Sequence, residues 1–297
     1  MLQVLLFGNV AAEHKMNPRL LLNLLLLLCI AAVSLFIINS PDDREPNITR
    51  LGGPSLTEIN NILIQSDGLV DIQLKKTNAE RWLMTVPYKV EANPASIDEI
   101  IKLTNAISHS RFSAINKNLS DYDLQPAKAS LHLNDEEYLF GNIESINKRR
   151  YILKDKTIHL TTDLFYHRLR TNAESFIRPQ LIPDGTKLIA LKSSELNLNK
   201  SAKGEWIISE NKSTAEDYSA DAIQTLLDHW QHKRAIQILP ANPPENSQQV
   251  SITLSDNSEI NYHLVTTTKE SIFIRSDLGL QYHLPVSAAD DLLSLTK

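Results

Sequence analysis

Two histidines three residues apart could place their imidazole nitrogens on one metal ion. They are His229 and His232, within a predicted helix, and zinc sites often take ligands from closely spaced side chains. The sequence offers no third ligand beside them, so we expect a solvated helix end without a metal. Four other histidines lie in alternating strand patterns and are interpreted as half-exposed sheet residues: His132, His159, His263 and His283.

The carboxylates come as adjacent residues, in Asp290-Asp291 and Asp135-Glu136-Glu137. Adjacent side chains point to opposite faces of a strand and diverge by about 100° on a helix, so neither group forms a natural acid–base pair. The chain has 8 glycines, and its sequence contains no phosphate-binding glycine loop and no nucleophilic serine elbow. We therefore expect no catalytic residue and no cofactor, and an enzyme is the least supported class of function.

An apolar run at Leu20–Ile38 contains no charged residue. At about 1.5 Å of rise per residue, such a helix approaches the roughly 30 Å hydrocarbon core of a bilayer. Basic residues such as Arg19 precede the run and acidic residues follow it, which favours a cytoplasmic amino terminus. The sequence predicts a cytoplasmic segment at 1–18 and a transmembrane signal anchor at 19–39 of a bacterial inner-membrane protein. A cleaved signal peptide is the alternative.

Composition bounds the environment of the remaining chain, which would be periplasmic. The formal net charge is −5, and the densest basic run is Lys148-Arg149-Arg150, which is typical of a solvated turn. Nucleic acid is therefore not an expected partner. The one cysteine, Cys29, lies within the apolar run, so an exported portion would have no disulfide bonds. That composition is common in the bacterial periplasm.

The remaining chain repeats one order of predicted elements. A tether rich in proline and glycine is predicted at 40–55, a first repeat at 56–180 and a second at 184–297. Each contains three predicted strands, one helix and about five further strands. The predicted fold class is α+β, with a single transmembrane helix followed by two tandem repeats, each mostly antiparallel sheet with one main helix. One large sandwich is the alternative.

The spacing of apolar residues supports the repeat. Trp82 and Trp206 are 124 positions apart, and both precede a predicted amphipathic helix. The first helix is predicted to begin at Ser96 with a capping box, and the second is predicted to have Ser219 as its cap. We expect eight side chains to anchor the core or an interface: Trp82, Trp206, Ile97, Ile100, Ile101, Ile223, Leu226 and Leu227.

Short motifs in the first repeat occur in a familiar order. They are Trp82 with Pro87, Ala92-Asn93, Tyr122-Asp123-Leu124-Gln125-Pro126, Phe140-Gly141, Arg150-Tyr151-Ile152 and Ile158-His159-Leu160. Over about residues 60–180 the chain resembles membrane-anchored periplasmic proteins with a domain of unknown function, found beside gliding-motility-type ABC transporter components. The resemblance implies an accessory envelope protein and provides no catalytic residues.

These observations favour a non-catalytic interaction or scaffold module of the bacterial envelope, accessory to an ABC-type transport system. The expected partners are the membrane, through residues 20–38, and an envelope protein. The alternative is a periplasmic solute- or polysaccharide-binding subunit. It would require an apolar cleft with a few convergent polar groups between the two repeats.

Overall fold

A computed structural model describes residues 18–39, 48–210, 218–241 and 247–295. The predicted cytoplasmic segment lies outside the described residues except for Pro18, as does the part of the predicted tether from residue 40 to residue 47. Contacts divide the chain into two units, Met1–Ile48 and Thr49–Lys297.

The first unit contains helix α1 (Pro18–Asn39). Its described side chains, residues 19–35, include the charged Arg19 and the polar Asn23. Within the described ranges, none of the helices has the length and hydropathy required to cross a membrane. The prediction of a transmembrane helix at 19–39 is therefore wrong.

The first sheet of the second unit has nine strands in the order β4-β3-β2-β1-β6-β7-β8-β9-β5. Its pairings are antiparallel. Apolar side chains alternate along most strands, so that one face is buried against the core. The strands are β1 (Asn61–Ser66), β2 (Ile72–Lys76), β3 (Trp82–Val86), β4 (Val90–Glu91), β5 (Ser108–Ser113), β6 (Ala129–Leu133), β7 (Glu136–Ile143), β8 (Arg149–Lys154) and β9 (Thr157–Thr162).

The second sheet has eight strands in the order β12-β11-β10-β14-β15-β16-β17-β13. Apart from β4, this is the order of the first sheet, with β1–β3 replaced by β10–β12, β6–β9 by β14–β17 and β5 by β13. The strands are β10 (Leu188–Lys192), β11 (Leu196–Lys200), β12 (Trp206–Glu210), β13 (Gln237–Pro240), β14 (Gln248–Leu254), β15 (Glu259–Thr266), β16 (Glu270–Arg275) and β17 (Leu280–Pro285).

Helices are few and short in this unit: α2 (Pro94–Ile101), α3 (Tyr166–Leu169), α4 (Ala220–His232) and α5 (Ala288–Leu293). The predicted cap of the second helix is confirmed, because the Ser219 side chain accepts a hydrogen bond from the Ala222 N–H group at 3.1 Å. The predicted start of the first helix is wrong. Asn93 is the N-cap and Pro94 occupies the first turn, where proline's fixed φ suits a helix start.

The predicted α+β class is therefore wrong: the described residues form mostly antiparallel β structure, in two sheets with few helices, because most apolar residues alternate at the strand period. Most buried apolar side chains of both sheets belong to one hydrophobic core, whereas Leu153 and Ile158 belong to a smaller separate cluster. The segment between β9 and β10, residues 163–187, is called the linker. It contributes to that core through Phe176, Ile177, Leu181 and Ile182, each 3% exposed or less. The two sheets therefore share a core within the compact unit, and the linker is part of its packing.

Candidate interaction site at the junction of the two sheets

The predicted anchor residues have different environments. Buried side chains are found at Trp82, Ile97, Ile100, Ile101, Ile223 and Leu226, whereas Trp206 and Leu227 are partly exposed and pack against the edge of the core. The tryptophans differ because β3 has β4 as an outer neighbour, whereas β12 forms the edge of its sheet. Trp206 instead has the Lys200 ammonium group 5.8 Å from its ring centroid.

The predicted metal-type histidines make separate contacts. His229 Nδ1 lies 2.9 Å from the Asp291 carbonyl oxygen, and His232 Nδ1 lies 3.0 Å from the Asp228 carbonyl oxygen. In the described ranges, no group of three His, Cys, Asp or Glu side chains could hold a metal ion. Because α5 packs against the end of α4, His229 is partly buried there, and the interpretation as a solvated helix end applies to His232 alone.

The other histidines and acidic residues are also dispersed. His159 is buried, contrary to the half-exposed position expected, and its Nδ1 lies 2.9 Å from Ser108 Oγ. Burial, reinforced by Arg111 and Lys154, lowers the pKa of His159. Each of the remaining groups has its own local partner: His132 with Glu137, His263 with Ser247, His283 with Glu270, Glu136 with Lys154, and Asp291 with Lys233.

The motifs behind the family resemblance divide between the main core, which contains Trp82, Phe140 and Ile152, and the outer face of the first sheet. A Cβ atom at Gly141 would lie 2.1 Å from the Tyr122 carbonyl oxygen, so glycine is required for this approach. The Tyr122 and Tyr151 rings pack edge to face with centroids 5.0 Å apart. Together with Leu124, these aromatic residues form a satellite core over β8 and β9. The motif residues are therefore structural.

One large core residue was not among the predicted anchors. Trp230 is fully buried on the last turn of α4, and its Nε1–H group donates to the Leu292 carbonyl oxygen at 2.8 Å. Its ring centroid lies 6.2 Å from that of Tyr262 and 6.1 Å from that of Phe273. The spacing that pairs Trp82 with Trp206 gives no signal for Trp230, because the first repeat has no tryptophan in its helix.

The linker crosses the junction as an extended strand. Ile177 forms a β-bridge with Ala92 at the end of β4, and Gln180 forms one with Arg234 before β13. Ion pairs reinforce this connection, because Arg178 Nη1 lies 3.1 Å from Glu91 Oε2 and Arg178 Nη2 lies 3.1 Å from Asp184 Oδ1. Backbone pairing and charge thus bind one segment to both sheets.

Successive linker side chains line different spaces, as expected for extended backbone. Ile177 and Pro179 line a groove of about 480 Å³, which we call the linker groove. Arg178 and Gln180 line a separate space of about 280 Å³, which we call the junction cavity. The linker therefore separates two candidate binding sites that sequence periodicity does not reveal.

The opposite wall of the linker groove is the free edge of β13. The Ala235 N–H group bonds to the Pro179 carbonyl oxygen of the linker, and the Ile236 N–H group bonds to His283 of β17, both at 2.8 Å. In this register Leu239 lies opposite Gln281 and Pro240 opposite Leu280, and the Ala241 N–H group bonds to the Gly279 carbonyl oxygen beside β17 at 2.8 Å. Because hydrogen-bonding direction alternates along an antiparallel strand, the backbone groups of Leu239 point toward β17, whereas the N–H and C=O groups of Ile238 and the C=O group of Pro240 point away from it. They face the space into which the linker pairing would continue.

Both apolar and polar side chains surround the linker groove. Ile236 is 76% exposed beside it, and Asn172 adds an exposed side-chain amide. Glu174 also lines the groove and accepts a hydrogen bond from the Tyr88 hydroxyl group. Burial, followed by the effect of Glu174, raises the pKa of Tyr88 to about 12. Tyr88 is therefore a neutral donor at physiological pH.

The junction cavity combines residues from both sheets and the linker. Leu181 and Ile182 come from the linker and Ile260 from β15, whereas Arg275 and Tyr282 come from β16 and β17. Arg275 forms a two-point ion pair with Asp277, with Nε–Oδ1 at 2.8 Å and Nη2–Oδ2 at 2.6 Å. Apolar, polar and charged side chains thus line one partly open space.

A family model for a domain of unknown function (DUF4340) matches residues 82–251, which is more than half of the 297 residues. The chain belongs to the DUF4340 family. The match begins at Trp82 in β3 and runs through the linker into β14, so the DUF4340 region includes parts of both sheets, whereas the resemblance was clearest over 60–180. Comparisons with curated proteins and with solved structures give no match.

Proposed function

We propose that this DUF4340 protein is a non-catalytic interaction module of the bacterial envelope, accessory to an ABC-type transport system. The observation that carries the proposal is the free edge of β13 beside the linker groove. An extended segment of a partner protein would add to this edge as a strand, with backbone hydrogen bonds providing affinity. The family resemblance supports the transport context and a periplasmic location.

The geometry suits strand addition for a specific reason. The linker pairs with the chain at Ala235 and then diverges from β13, which leaves the outward N–H and C=O groups of Ile238 and the C=O group of Pro240 at the groove. Such unpaired edges readily form hydrogen bonds with another extended chain. Because the linker is bridged to both sheets, the edge is presented from a fixed base, and a partner would lose less conformational entropy on binding.

Site-specific crosslinking of the full-length protein in a bacterium that naturally carries it would test this proposal. A photo-crosslinking residue at Gln237 should give an adduct with a component of the transport system, identified by mass spectrometry. The matched control is the same residue at Ile146, which is 86% exposed in a turn of the first sheet. Adducts of equal yield and composition at both positions would contradict the proposal.

A second variant tests the mode of binding. Ile238→Pro removes the outward N–H group of β13 at an edge position where proline is tolerated in sheets. Ile238→Ala is the matched control, because it truncates the same buried side chain and keeps the N–H group. We expect the yield of the Gln237 adduct to be at least several-fold lower in Ile238→Pro than in Ile238→Ala, with both variants folded as judged by circular dichroism. An unchanged adduct would show that strand addition at β13 is not the mode of contact.

A second candidate function is solute binding. The junction cavity favours it because apolar and polar side chains from the linker and the second sheet converge there, beside β4 of the first sheet. At about 280 Å³ it lies near the lower end of ligand-site volumes, which suits a small solute and excludes a polysaccharide chain from its interior.

A further inference from the structure

Glu174 brings an unpaired carboxylate to the linker groove. It lies in a short helical turn, Ala173–Phe176, just before the linker becomes extended at Ile177, and its side chain is partly buried. In the part of the chain that the structure describes it forms no ion pair, whereas Glu91, which lines the junction cavity, is paired with Arg178. A partly buried carboxylate has lost some of its hydration, so an unpaired one favours a cationic group of a ligand.

The Tyr88 hydroxyl group fixes the orientation of this carboxylate. It donates a hydrogen bond to Oε1 of Glu174, and it remains a donor at physiological pH because it stays protonated. The second oxygen, Oε2, has no hydrogen-bond partner among the described residues, and it is not one of their fully buried polar atoms. One oxygen of Glu174 is therefore held in place, and the other is accessible to a donor from outside.

A second groove, of about 360 Å³, adjoins the linker groove, and we call it the side groove. Asn172 and Glu174 line both spaces. Of the residues that line the two grooves, all of them described, Glu174 alone is charged. The two grooves therefore place one negative charge beside apolar surface. In the side groove that surface is formed mainly by Leu69, Val70, Pro87, Ala173 and Pro240.

The turn that carries Glu174 lies beside β13, since Cα atoms of the two elements approach within 8 Å of each other. Residues Gln237 to Leu239 of β13 line the linker groove, and Pro240, its last residue, lines the side groove. A strand added to this edge would therefore run along both grooves. Because alternate side chains of a strand point to the same face, two residues separated by one position would face Glu174 and the side groove.

We infer that the partner strand carries a lysine or arginine that pairs with Glu174, two positions from an apolar side chain that enters the side groove. This inference rests on the proposed strand addition at β13 and specifies the chemistry of the partner. An ammonium or guanidinium group would form a charge-assisted hydrogen bond with Oε2. Pockets for alternate side chains give specificity to an edge whose backbone bonds provide affinity, and an acidic side chain at this position would be repelled by Glu174.

A synthetic peptide tests the inference on the purified full-length protein. Thr-Val-Thr-Lys-Thr-Val-Thr, with a fluorescent label at its amino end and an amidated carboxyl end, has a valine two positions from the lysine on both sides. It therefore presents the motif in either strand direction. The matched probes have glutamine or glutamate in place of the lysine. By fluorescence anisotropy, we expect the lysine peptide to bind about fivefold more tightly than the glutamine peptide, and the glutamate peptide to bind most weakly. Equal affinities of the three peptides, or no saturable binding of the lysine peptide, would overturn the inference.

A variant of Glu174 assigns the preference to its charge. Glu174→Gln removes the charge and keeps an acceptor for the Tyr88 hydroxyl group, so it should abolish the preference for lysine over glutamine and leave the affinity for the glutamine peptide unchanged. Glu205→Gln is the matched control, because Glu205 is exposed just before β12, at the opposite edge of the second sheet. It should keep the preference. If Glu174→Gln also kept it, the assignment to Glu174 would be wrong.

The backbone variants separate this inference from strand addition itself. Ile238→Pro should weaken the binding of all three peptides relative to Ile238→Ala, because each peptide would bond to the backbone at this position. If it does so while the three peptides bind alike, strand addition stands and the pairing with Glu174 fails. If Ile238→Pro and Ile238→Ala bind every peptide equally well, strand addition at β13 fails, and this inference fails with it.

Discussion

The two sheets have the same strand order but fill the core beneath equivalent strands with different chemistry. Strands β8 and β16 hold the same place in their sheets. In the first sheet β8 buries Arg150, whose guanidinium lies 3.6 Å from the centroid of the Tyr166 ring. In the second sheet β16 buries Phe273, which packs against Trp230 and Tyr262. One topology thus accommodates a buried ion pair in one sheet and an aromatic cluster in the other.

The difference shows what each sheet requires of its surroundings. The guanidinium of Arg150 needs oxygen partners, and it finds them in both carboxylate oxygens of Asp163, at 2.7 and 2.8 Å, and in the Gly141 carbonyl oxygen. The aromatic cluster instead needs apolar volume, which the longer helix α4 supplies by placing Trp230 on its last turn. Replacing Arg150 should therefore destabilise the protein by leaving polar groups unpaired, whereas replacing Trp230 should do so by creating a cavity.

The largest effect is expected from removing the centre of the aromatic cluster. Trp230→Ala would delete a fully buried indole and leave a cavity, at a cost of about 3–5 kcal/mol in the free energy of unfolding. Urea unfolding of the full-length chain measures this cost. Trp206→Ala is the matched control, and its partly exposed ring should cost about 1–2 kcal/mol. Equal losses in the free energy of unfolding would show that the aromatic cluster contributes no more to stability than the partly exposed Trp206.

The first-sheet counterpart of that experiment is Arg150→Leu. It leaves Asp163 and the Gly141 carbonyl oxygen without their partner, which should cost about 3 kcal/mol, less than a fully buried pair because Asp163 is partly exposed. A double variant, Arg150→Leu with Asp163→Asn, should recover part of the loss, since the unpaired carboxylate is removed. Glu80→Gln, which breaks an exposed pair with Lys76, should cost less than about 1 kcal/mol. A loss as small as this in Arg150→Leu would contradict the interpretation that the buried ion pair of Arg150 and Asp163 stabilises the first sheet.

Sequence periodicity predicted most of the strands, but it did not predict the start of α2 or the short strand β4. In β6, Ala129–Leu133, buried residues alternate with partly exposed ones, so the strand can be recognised from its apolar period alone. The start of α2 was missed because Pro94 and Asn93 override the capping-box pattern at Ser96. β4 escaped detection because it has two residues, too few to show a period.

Sequence patterns did not predict the candidate sites either, because their residues are far apart in the chain. Tyr282 and Arg275 lie on separate strands, and the linker wall at Leu181 comes almost 100 positions earlier. A pattern search finds residues that act at a fixed spacing, whereas these residues meet because of strand order. The linker itself has no strand period that identifies it, since its extended backbone is imposed by bridges to Ala92 and Arg234.

A smaller effect should distinguish the outer face of the first sheet. Gly141→Ala would place a methyl group against the Tyr122 backbone, which must move together with its satellite core. Such overpacking typically costs about 1–3 kcal/mol. Thermal unfolding followed by near-ultraviolet circular dichroism should show a lower midpoint and an altered tyrosine signal. Gly185→Ala is a control, because a Cβ atom there meets nothing within 4 Å but has the strain of a positive φ. It should lower the midpoint without altering the tyrosine signal.

The smallest effect concerns pH, and it should arise in the first sheet. His159 is buried on β9, whereas the buried residues of β17, which holds the same place in the second sheet, are Leu280, Tyr282 and Leu284. Burial lowers the pKa of His159 below its ordinary value of 6.5. The unfolded chain therefore binds a proton more readily than the folded protein below about pH 6.5.

The sign of the effect follows from this difference. The contribution of neutral His159 to the free energy of unfolding is complete above pH 6.5 and decreases as the pH falls through that value toward the lower pKa of the folded state. Urea unfolding of the parent at pH 7.5 and pH 5.5 should show lower stability at the acidic value. His159→Gln should reduce that difference, because glutamine has no proton to take up. His232→Gln, at an exposed position on α4, should leave it unchanged. If both variants kept the full difference of the parent, the pH response would have to come from groups other than the buried histidine of the first sheet.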